Sequence, residues 1–384
     1  GTRSENHSAT TLFDLCPHDL AIPLSVLHSY SFPPLASSPV SLVDRLLPCL
    51  SSVMSRGRRR LLPVLALLLV AAAGPSSSAE AELVFGFYNA TCPIAEGVVF
   101  AEMRAILQED ATLAPSLLRM HYHDCFVQGC DGSVMLRSRR GTAERDAAPN
   151  RSMRGFDAVE RIKARLEMLC PLTVSCAEII AMAARDAVHL SQGPWYEVET
   201  GRRDGNVTVA EYAANDLAPP DSNIVDVKTF FSVKSLNSRD IAVLFGSHSI
   251  GTSHCAAFQK RLYNFTGAMD QDPTLDARYA RRLRKLCPRA GGRGRTKVPI
   301  DPGSGFTFDL SYYRHVLATG GLFQSDGSLL HDAATRGYVE KMANASSPDE
   351  YYKDFAAAMV KMGRTDVLHG SQGEVRTTCG VFVD

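Results

Sequence analysis

The sequence predicts an all-α protein of two lobes with minor, short strands. Three observations carry that prediction. Apolar residues recur at the helical period of about 3.6 in one segment after another. Capping residues stand at the starts of several of these segments and glycines at some of their ends. Runs rich in Gly, Pro and Asp, at 217–223 and 291–305, separate them, and the first sets a lobe boundary near residue 220.

Taken in order, Ala95–Glu109 is amphipathic, and Leu113–Phe126 is a second helix. Residues 155–170 place Val159, Ile162 and Leu166 on one face. Residues 175–190 open on Ser175 with Glu178 three positions on, the pattern of a capping box. Ser238–Phe245 starts on a serine cap and stops at Gly246. Helices over 276–287, Ser311–Thr319, 335–345 and 350–363 complete the set. Strands are expected only near 195–199 and 375–383. No internal repeat is present.

The N-terminal part reads differently. Residues 1–53 are rich in Ser, Leu and Pro and lack periodicity. After Met54 come the basic patch Arg56, Arg58, Arg59 and Arg60, an apolar run at 61–73, and the small-residue triplet Ala79-Glu80-Ala81. That order is that of a secretory signal peptide, with a run too short for a comfortable membrane span. The expectation is an upstream, non-native segment at 1–53, a signal peptide at 54–81 and a mature domain at 82–384. Within that domain a distal lobe covers about 82–220 and a proximal lobe about 221–384.

The 41 basic and 41 acidic residues cancel, which argues against nucleic acid or an anionic membrane surface as the default partner. Ten cysteines point to an oxidising compartment. Cys16 and Cys49 precede the signal segment, which leaves an even set of eight. Their spacing alone leaves the connectivity open. Sequons at Asn89, Asn150, Asn206, Asn264 and Asn344 suit a secreted glycoprotein.

The chemistry concentrates in Arg119-Met-His-Tyr-His-Asp-Cys-Phe126. Arg119 and His123 are one helical turn apart on a single face. A fixed cation beside a neutral imidazole suits heterolysis of an O–O bond, because the base moves a proton and the cation stabilises the charge left behind. His121 and His123 also spell H-x-H, a zinc-hydrolase pattern that would want a strand end and further ligands. Far along the chain, His248 lies between Gly246 and Gly251, where a bulky flat group could approach the backbone. Asp326 is a residue type that orients a liganding histidine by accepting its second N–H. Taken singly, a histidine among apolar residues such as His248 is more often a satisfied core residue than a ligand.

The stretch from Arg119 to Ser133 resembles the distal haem motif of the secretory (class III) plant peroxidases, and Phe245–Gly251 resembles their proximal motif. The similarity runs from Phe87-Tyr88 and Cys92-Pro93 to Thr377-Thr378-Cys379-Gly380. It implies the two-lobed haem peroxidase fold with one haem b between the lobes. His248 would be the axial iron ligand and Asp326 the acceptor of its other N–H. Arg119 and His123 would be the charge stabiliser and the acid–base catalyst, and Asn150 would fix the tautomer of His123. The reaction implied is reduction of H2O2 with small phenols as one-electron donors, such as lignin or suberin precursors and wall phenolics, including under oxidative stress.

The resemblance also implies two Ca2+ ions. The distal one would take Asp124, Asp131 and Ser133 side chains, carbonyls of Asp124, Val127 and Gly129, and Glu144 through water. The proximal one would take Ser249, Asp301, Ser304 and Asp309 with the Thr307 carbonyl. Turn chemistry is the plainer reading of these Asp residues. The implied disulfides are Cys92–Cys170, Cys125–Cys130, Cys176–Cys379 and Cys255–Cys287. A monomer in the extracellular space or cell wall is expected, off the membrane after signal cleavage, with wall polysaccharide as a candidate partner. The short tail after Cys379 favours that location over the vacuole. A non-catalytic wall protein on the same scaffold is the competing reading, and the intact Arg119, His123, His248 and Asp326 set argues against it.

Three positions depart from the family's pattern. Tyr122 stands where Phe is usual and is expected to pack as Phe would, although its hydroxyl could add a hydrogen bond or an oxidisable site. Ala218 stands where the family has a Pro whose carbonyl receives aromatic donors. Ile300 occupies a place where some members set an aromatic ring under the proximal histidine. With few aromatic residues near Ala148 and 219–221, an open haem edge is expected.

Overall fold

The structure is a computed structural model that describes residues 83–289 and 296–383. The segments read as upstream sequence and signal peptide lie outside the described residues. Thirteen α-helices occur among the described residues. They are α1 (Ala95–Glu109), α2 (Leu113–Phe126), α3 (Phe156–Leu169), α4 (Cys176–Leu190), α5 (Ala210–Asp216), α6 (Ile224–Ser232), α7 (Ser238–Phe245) and α8 (Gln259–Tyr263). The rest are α9 (Ala277–Leu286), α10 (Ser311–Thr319), α11 (Gln324–Ser328), α12 (Ala333–Ala343) and α13 (Asp349–Met362). Strands β1 (Val84–Phe85) and β2 (Glu199–Thr200) pair antiparallel, as do β3 (Thr252–His254) and β4 (Lys297–Pro299). The all-α class is therefore the one observed.

Local chemistry explains most boundaries. Ser175 caps α4 by accepting the Glu178 N–H at 3.2 Å. The reciprocal half of the expected capping box is absent, because the Glu178 carboxylate is taken by the N–H groups of Gly201 and Arg202 and by the Arg202 side chain. The cap of α7 is Asn237, in a box with Asp240, and not Ser238. Asp276 and Asp332 cap α9 and α12. The strand expected at 195–199 reaches only β2, because its partner β1 is two residues long. The one expected at 375–383 reduces to an isolated bridge between Phe382 and Arg137. There the Glu160 carboxylate takes the Cys379 and Gly380 amides that a strand would give to a neighbour.

Two apolar cores position the site. One gathers Val99, Met103, Leu117, Met120, Val159, Ile162 and Ile179, where α1, α2, α3 and α4 meet. The other joins Phe126 and Val188 to Phe231, Ile241, Tyr313, Phe355 and Met359, and so spans residues on both sides of position 220. Helix α2 contributes to both cores, which leaves its polar groups little rotational freedom. The four disulfides have the pairing that the resemblance implies: Cys92–Cys170, Cys125–Cys130, Cys176–Cys379 and Cys255–Cys287. No described helix is long and apolar enough to cross a membrane.

Candidate active site

Helix α2 sets Arg119 one turn before His123, and Arg119 Nε donates to His123 Nε2 at 2.9 Å. The other guanidinium nitrogens donate to Ser152 Oγ at 3.0 Å and to the Pro149 carbonyl at 2.6 Å. His123 Nδ1 lies 2.5 Å from Asn150 Oδ1, and Asn150 Nδ2 donates to the Glu144 carbonyl at 2.8 Å. With its NH2 group thus committed, Asn150 presents an acceptor to Nδ1. The Nδ1-protonated tautomer follows, and the lone pair of His123 sits on Nε2. Burial, and then the Arg119 charge, hold the His123 pKa well below the usual imidazole range, against an opposing effect of Asn150. The neutral form is the one a base requires.

The second set grows from the end of α7. After Phe245 the chain tightens into the turn Gly246–Ser249, which carries His248. A Cβ at position 246 would collide with the hydroxyls of Tyr351 and Tyr313, so the turn needs glycine. His248 Nδ1 lies 2.7 Å from Asp326 Oδ1, and the Asp326 side chain is fully buried. Tyr312 Oη donates to the same oxygen at 2.9 Å, and the Phe323 N–H donates to Oδ2 at 2.8 Å. Burial pushes the Asp326 pKa up. The neighbouring His248 and these donors outweigh it and hold the group below the usual carboxylate range. With Nδ1 committed, Nε2 is the nitrogen that His248 can offer a metal, and its side chain is 32% exposed. Phe245 and Phe323 meet the imidazole edge-on, at 5.5 and 5.3 Å between ring centroids. Ile300 instead packs beside the cluster of Cys255, Phe258 and Leu322.

The zinc reading of His121-x-His123 loses its support. Both ring nitrogens of His123 are engaged. His121 is buried with Nδ1 3.5 Å from the Cys125 sulfur, and burial followed by the Arg202 charge lowers its pKa to about 3. Among the described residues no three His, Cys, Asp or Glu side chains converge as a metal-ligating group, which removes zinc and leaves room only for a cation that also draws on hydroxyl and carbonyl oxygens.

Oxygen-rich sets do occur. Asp124 Oδ1, Ser133 Oγ and Glu144 Oε2 are buried and have no hydrogen-bond partner. Buried polar atoms are rarely left so, and three in one place fit a bound cation. Burial, and then the Asp131 charge, raise the Asp124 pKa well above the usual range, and burial raises Glu144 to about 8. The carbonyls of Val127 and Gly129 lie in the intervening loop, and Gly129 adopts φ +132 where a Cβ would strike the Asp366 carbonyl. In the second set the Ser249 hydroxyl is buried without a partner. Ser304 Oγ lies within hydrogen-bond reach of Asp309 Oδ1 at 3.1 Å and of the Thr307 carbonyl at 3.3 Å. Ser311 joins Asp301 to Asp309. Mixed carboxylate, hydroxyl and carbonyl donors of this kind match Ca2+.

Tyr122 packs as a phenylalanine would, 4.4 Å from the Phe126 ring and 6.3 Å from Phe231 between centroids. Burial pushes its pKa up to about 12. The Ala218 backbone and the Arg119 charge oppose that shift. Asn150 is 1% exposed with both ends of its amide used, which leaves no room for a glycan, whereas Asn89, Asn206, Asn264 and Asn344 are exposed. Sequence reasoning missed Ser152, Ser311 and Tyr312. Nothing in their spacing distinguishes them from other hydroxyl residues, and only the fold brings them to the site.

Residues 99–345 match the family profile described as peroxidase. Peroxidase 1 of Oryza sativa subsp. japonica is 51% identical over 322 residues, covering 83% of this chain and 98% of that protein. Peroxidase 30 of Arabidopsis thaliana is 47% identical over 308 residues, covering 80% and 93%. Peroxidase 5 of Vitis vinifera is 46% identical over 305 residues, covering 79% and 92%. With the helical fold and four disulfides in place, the chain belongs to the class III plant peroxidase family. It is an enzyme that reduces H2O2 at the expense of an oxidisable donor.

Proposed function

We propose that this chain is a secreted peroxidase that oxidises phenols one electron at a time, with one haem b held through His248 Nε2 and two Ca2+ ions bracing the site. One observation carries the reading: a neutral base paired with a cation, Arg119–His123–Asn150, occurs in the same chain as a histidine backed by a buried carboxylate, His248–Asp326. The residues fit haem because Asp326 leaves Nε2 of His248 as the ligand nitrogen and raises its basicity. When bound, the haem supplies the electrons that reduce peroxide and later regains them from the donor.

The chain's own part is proton handling. Arg119 Nε occupies the lone pair of His123 Nε2, so it gives way when peroxide enters. His123 Nε2 takes the peroxide proton and returns it to the departing oxygen, which leaves as water. Asn150 keeps the Nδ1 proton in place through both transfers. The Arg119 guanidinium stabilises the negative charge that develops as the O–O bond opens. Ala218 lies beside Tyr122 and marks the approach of phenolic donors. Lignin and suberin precursors and wall phenolics are the donor class that the likeness to secretory plant peroxidases supports. The distal ion takes Asp124, Asp131, Ser133 and, through water, Glu144, and the proximal ion takes Ser249, Asp301, Ser304 and Asp309. Four disulfides suit the extracellular space or cell wall.

Folding the purified chain with haem and Ca2+ should produce a Soret band, and guaiacol oxidation should require H2O2. Absence of the Soret band would reject the haem reading. A Soret band without peroxide-dependent oxidation would reject the catalytic one.

A further inference from the structure

Behind Asp326 lies a buried cation with no part in the chemistry above. Arg261, at the core-facing side of α8, is 1% exposed. Its Nε donates to Asp272 Oδ2 at 2.7 Å, and Asp272 is fully buried. Its Nη1 reaches four consecutive carbonyls, those of Gly320, Gly321, Leu322 and Phe323, at 3.1, 2.9, 3.0 and 2.8 Å. Four carbonyls pointing at one atom repel one another, and only a cation makes the arrangement favourable. The backbone is shaped for it. Gly320 and Gly321 take φ +80 and +66, a left-handed pair that curls the strand of carbonyls inward. A Cβ at Gly327 would meet the Gly320 carbonyl at 2.6 Å, so α11 is pressed against this curl.

The curl ends where Asp326 is held. Leu322 C=O and Phe323 N–H belong to one peptide group. Its oxygen accepts from Arg261 Nη1 at 3.0 Å, and its N–H donates to Asp326 Oδ2 at 2.8 Å. Asp326 Oδ1 in turn accepts from the Nδ1–H of His248 at 2.7 Å. We infer that Arg261 is a positioning residue for the His248–Asp326 pair, acting through the 322–323 peptide. The guanidinium fixes the plane of that peptide and polarises it, which strengthens the N–H bond that anchors the carboxylate. Without the cation the carbonyls turn apart, the Phe323 N–H swings from Oδ2, and Asp326 loses the fixed position that lets it pull on the imidazole. The inference rests on His248 being the iron ligand.

The test uses the full chain loaded with haem and Ca2+, as wild type, Arg261→Met and Arg261→Lys. In Arg261→Met the iron–histidine stretching band of the reduced protein should fall in frequency and the ferric/ferrous potential should shift positive, as a weaker Asp326–His248 bond requires. Arg261→Lys, which keeps the charge, should recover part of both. A folded, haem-replete Arg261→Met with both values at wild type overturns the inference. If Arg261→Met does not fold, Asp272→Asn, which loosens the guanidinium from its anchor, should show smaller shifts of the same sign, and unchanged values again overturn it. Amide exchange at Phe323 in haem-free protein supplies a readout that does not depend on the iron. Its protection should drop by about tenfold in the variant, as for a locally opened hydrogen bond. Wild-type protein without a Soret band would instead reject the reading of His248, and the exchange measurement would still decide whether Arg261 holds the peptide.

Discussion

His123 has both ring nitrogens engaged, by Arg119 and by Asn150, and that double engagement makes it a base with one defined lone pair. His123→Leu removes the base while keeping the volume. The second-order rate with H2O2 should fall by about 10²- to 10⁴-fold, the range for a positioned acid–base group, and stopped-flow mixing measures it. The pH dependence has a definite sign. A base whose pKa is depressed by burial, and then by a nearby cation, stays neutral as pH falls through the ordinary imidazole range. The acid limb of the H2O2 rate should therefore lie clearly below pH ~6.5, the model imidazole value, and a limb centred there would contradict the geometry. Tyr122 behaves at this scale much as its sequence suggested. Its ring fills the place of a phenylalanine, packed against Phe126 and Phe231.

Helix α2 concentrates buried polar groups: His121, His123 and Asp124 are all under 5% exposed. His121 has a pKa lowered to about 3 by burial and then by Arg202, against about 6.5 for an unfolded chain. Between those values the unfolded state binds the proton and the folded state does not, so stability is full above pH ~6.5 and declines as pH falls toward 3. Melting temperature followed from pH 7 to pH 4 should drop, and His121→Gln, which does not titrate, should show a shallower drop. Equal slopes would remove His121 from the account. The bounds of α1 and α2 were legible because each combines unbroken helical periodicity with a long apolar face. Helices α5, α6, α8 and α11 were not. They are short, α6 holds Ile224, Val225 and Val227, and α11 contains Gly327 and two serines, so propensity gives no signal. A local cap, Asp326 accepting the Phe323 N–H, and a long-range bond from the Ser325 N–H to the Pro220 carbonyl hold α11 as a helix.

At the scale of the molecule, the site is assembled from positions 119, 123, 150, 248 and 326, and no spacing rule relates them. Arg119 with His123 could be read from one helical turn, and the residues alone offered His248 and Asp326 as a candidate ligand and its orienter, but Asn150 was given a role only through family resemblance. What the fold adds is a hydrogen-bonded link between the distal oxygen set and His123. Glu144 presents its buried carboxylate, with Oε2 unpartnered, to the distal oxygen set, and its carbonyl to Asn150 Nδ2 at 2.8 Å. Asn150 in turn fixes His123. An ion bound there neutralises carboxylates that otherwise repel one another, and so holds Glu144 and, through its carbonyl, the tautomer of His123. Chelating Ca2+ from loaded enzyme should therefore slow the reaction with H2O2 by about one to two orders of magnitude while the Soret band persists, since misplacement of a base by a fraction of an ångström to 1 Å costs that much. Adding Ca2+ back should restore the rate. Ser133→Ala should reproduce part of the loss and raise the Ca2+ concentration needed for recovery. A chelated enzyme that keeps its full rate with the ion demonstrably gone would sever the link from Glu144 to His123, and leave the distal set a stabiliser of the loop alone.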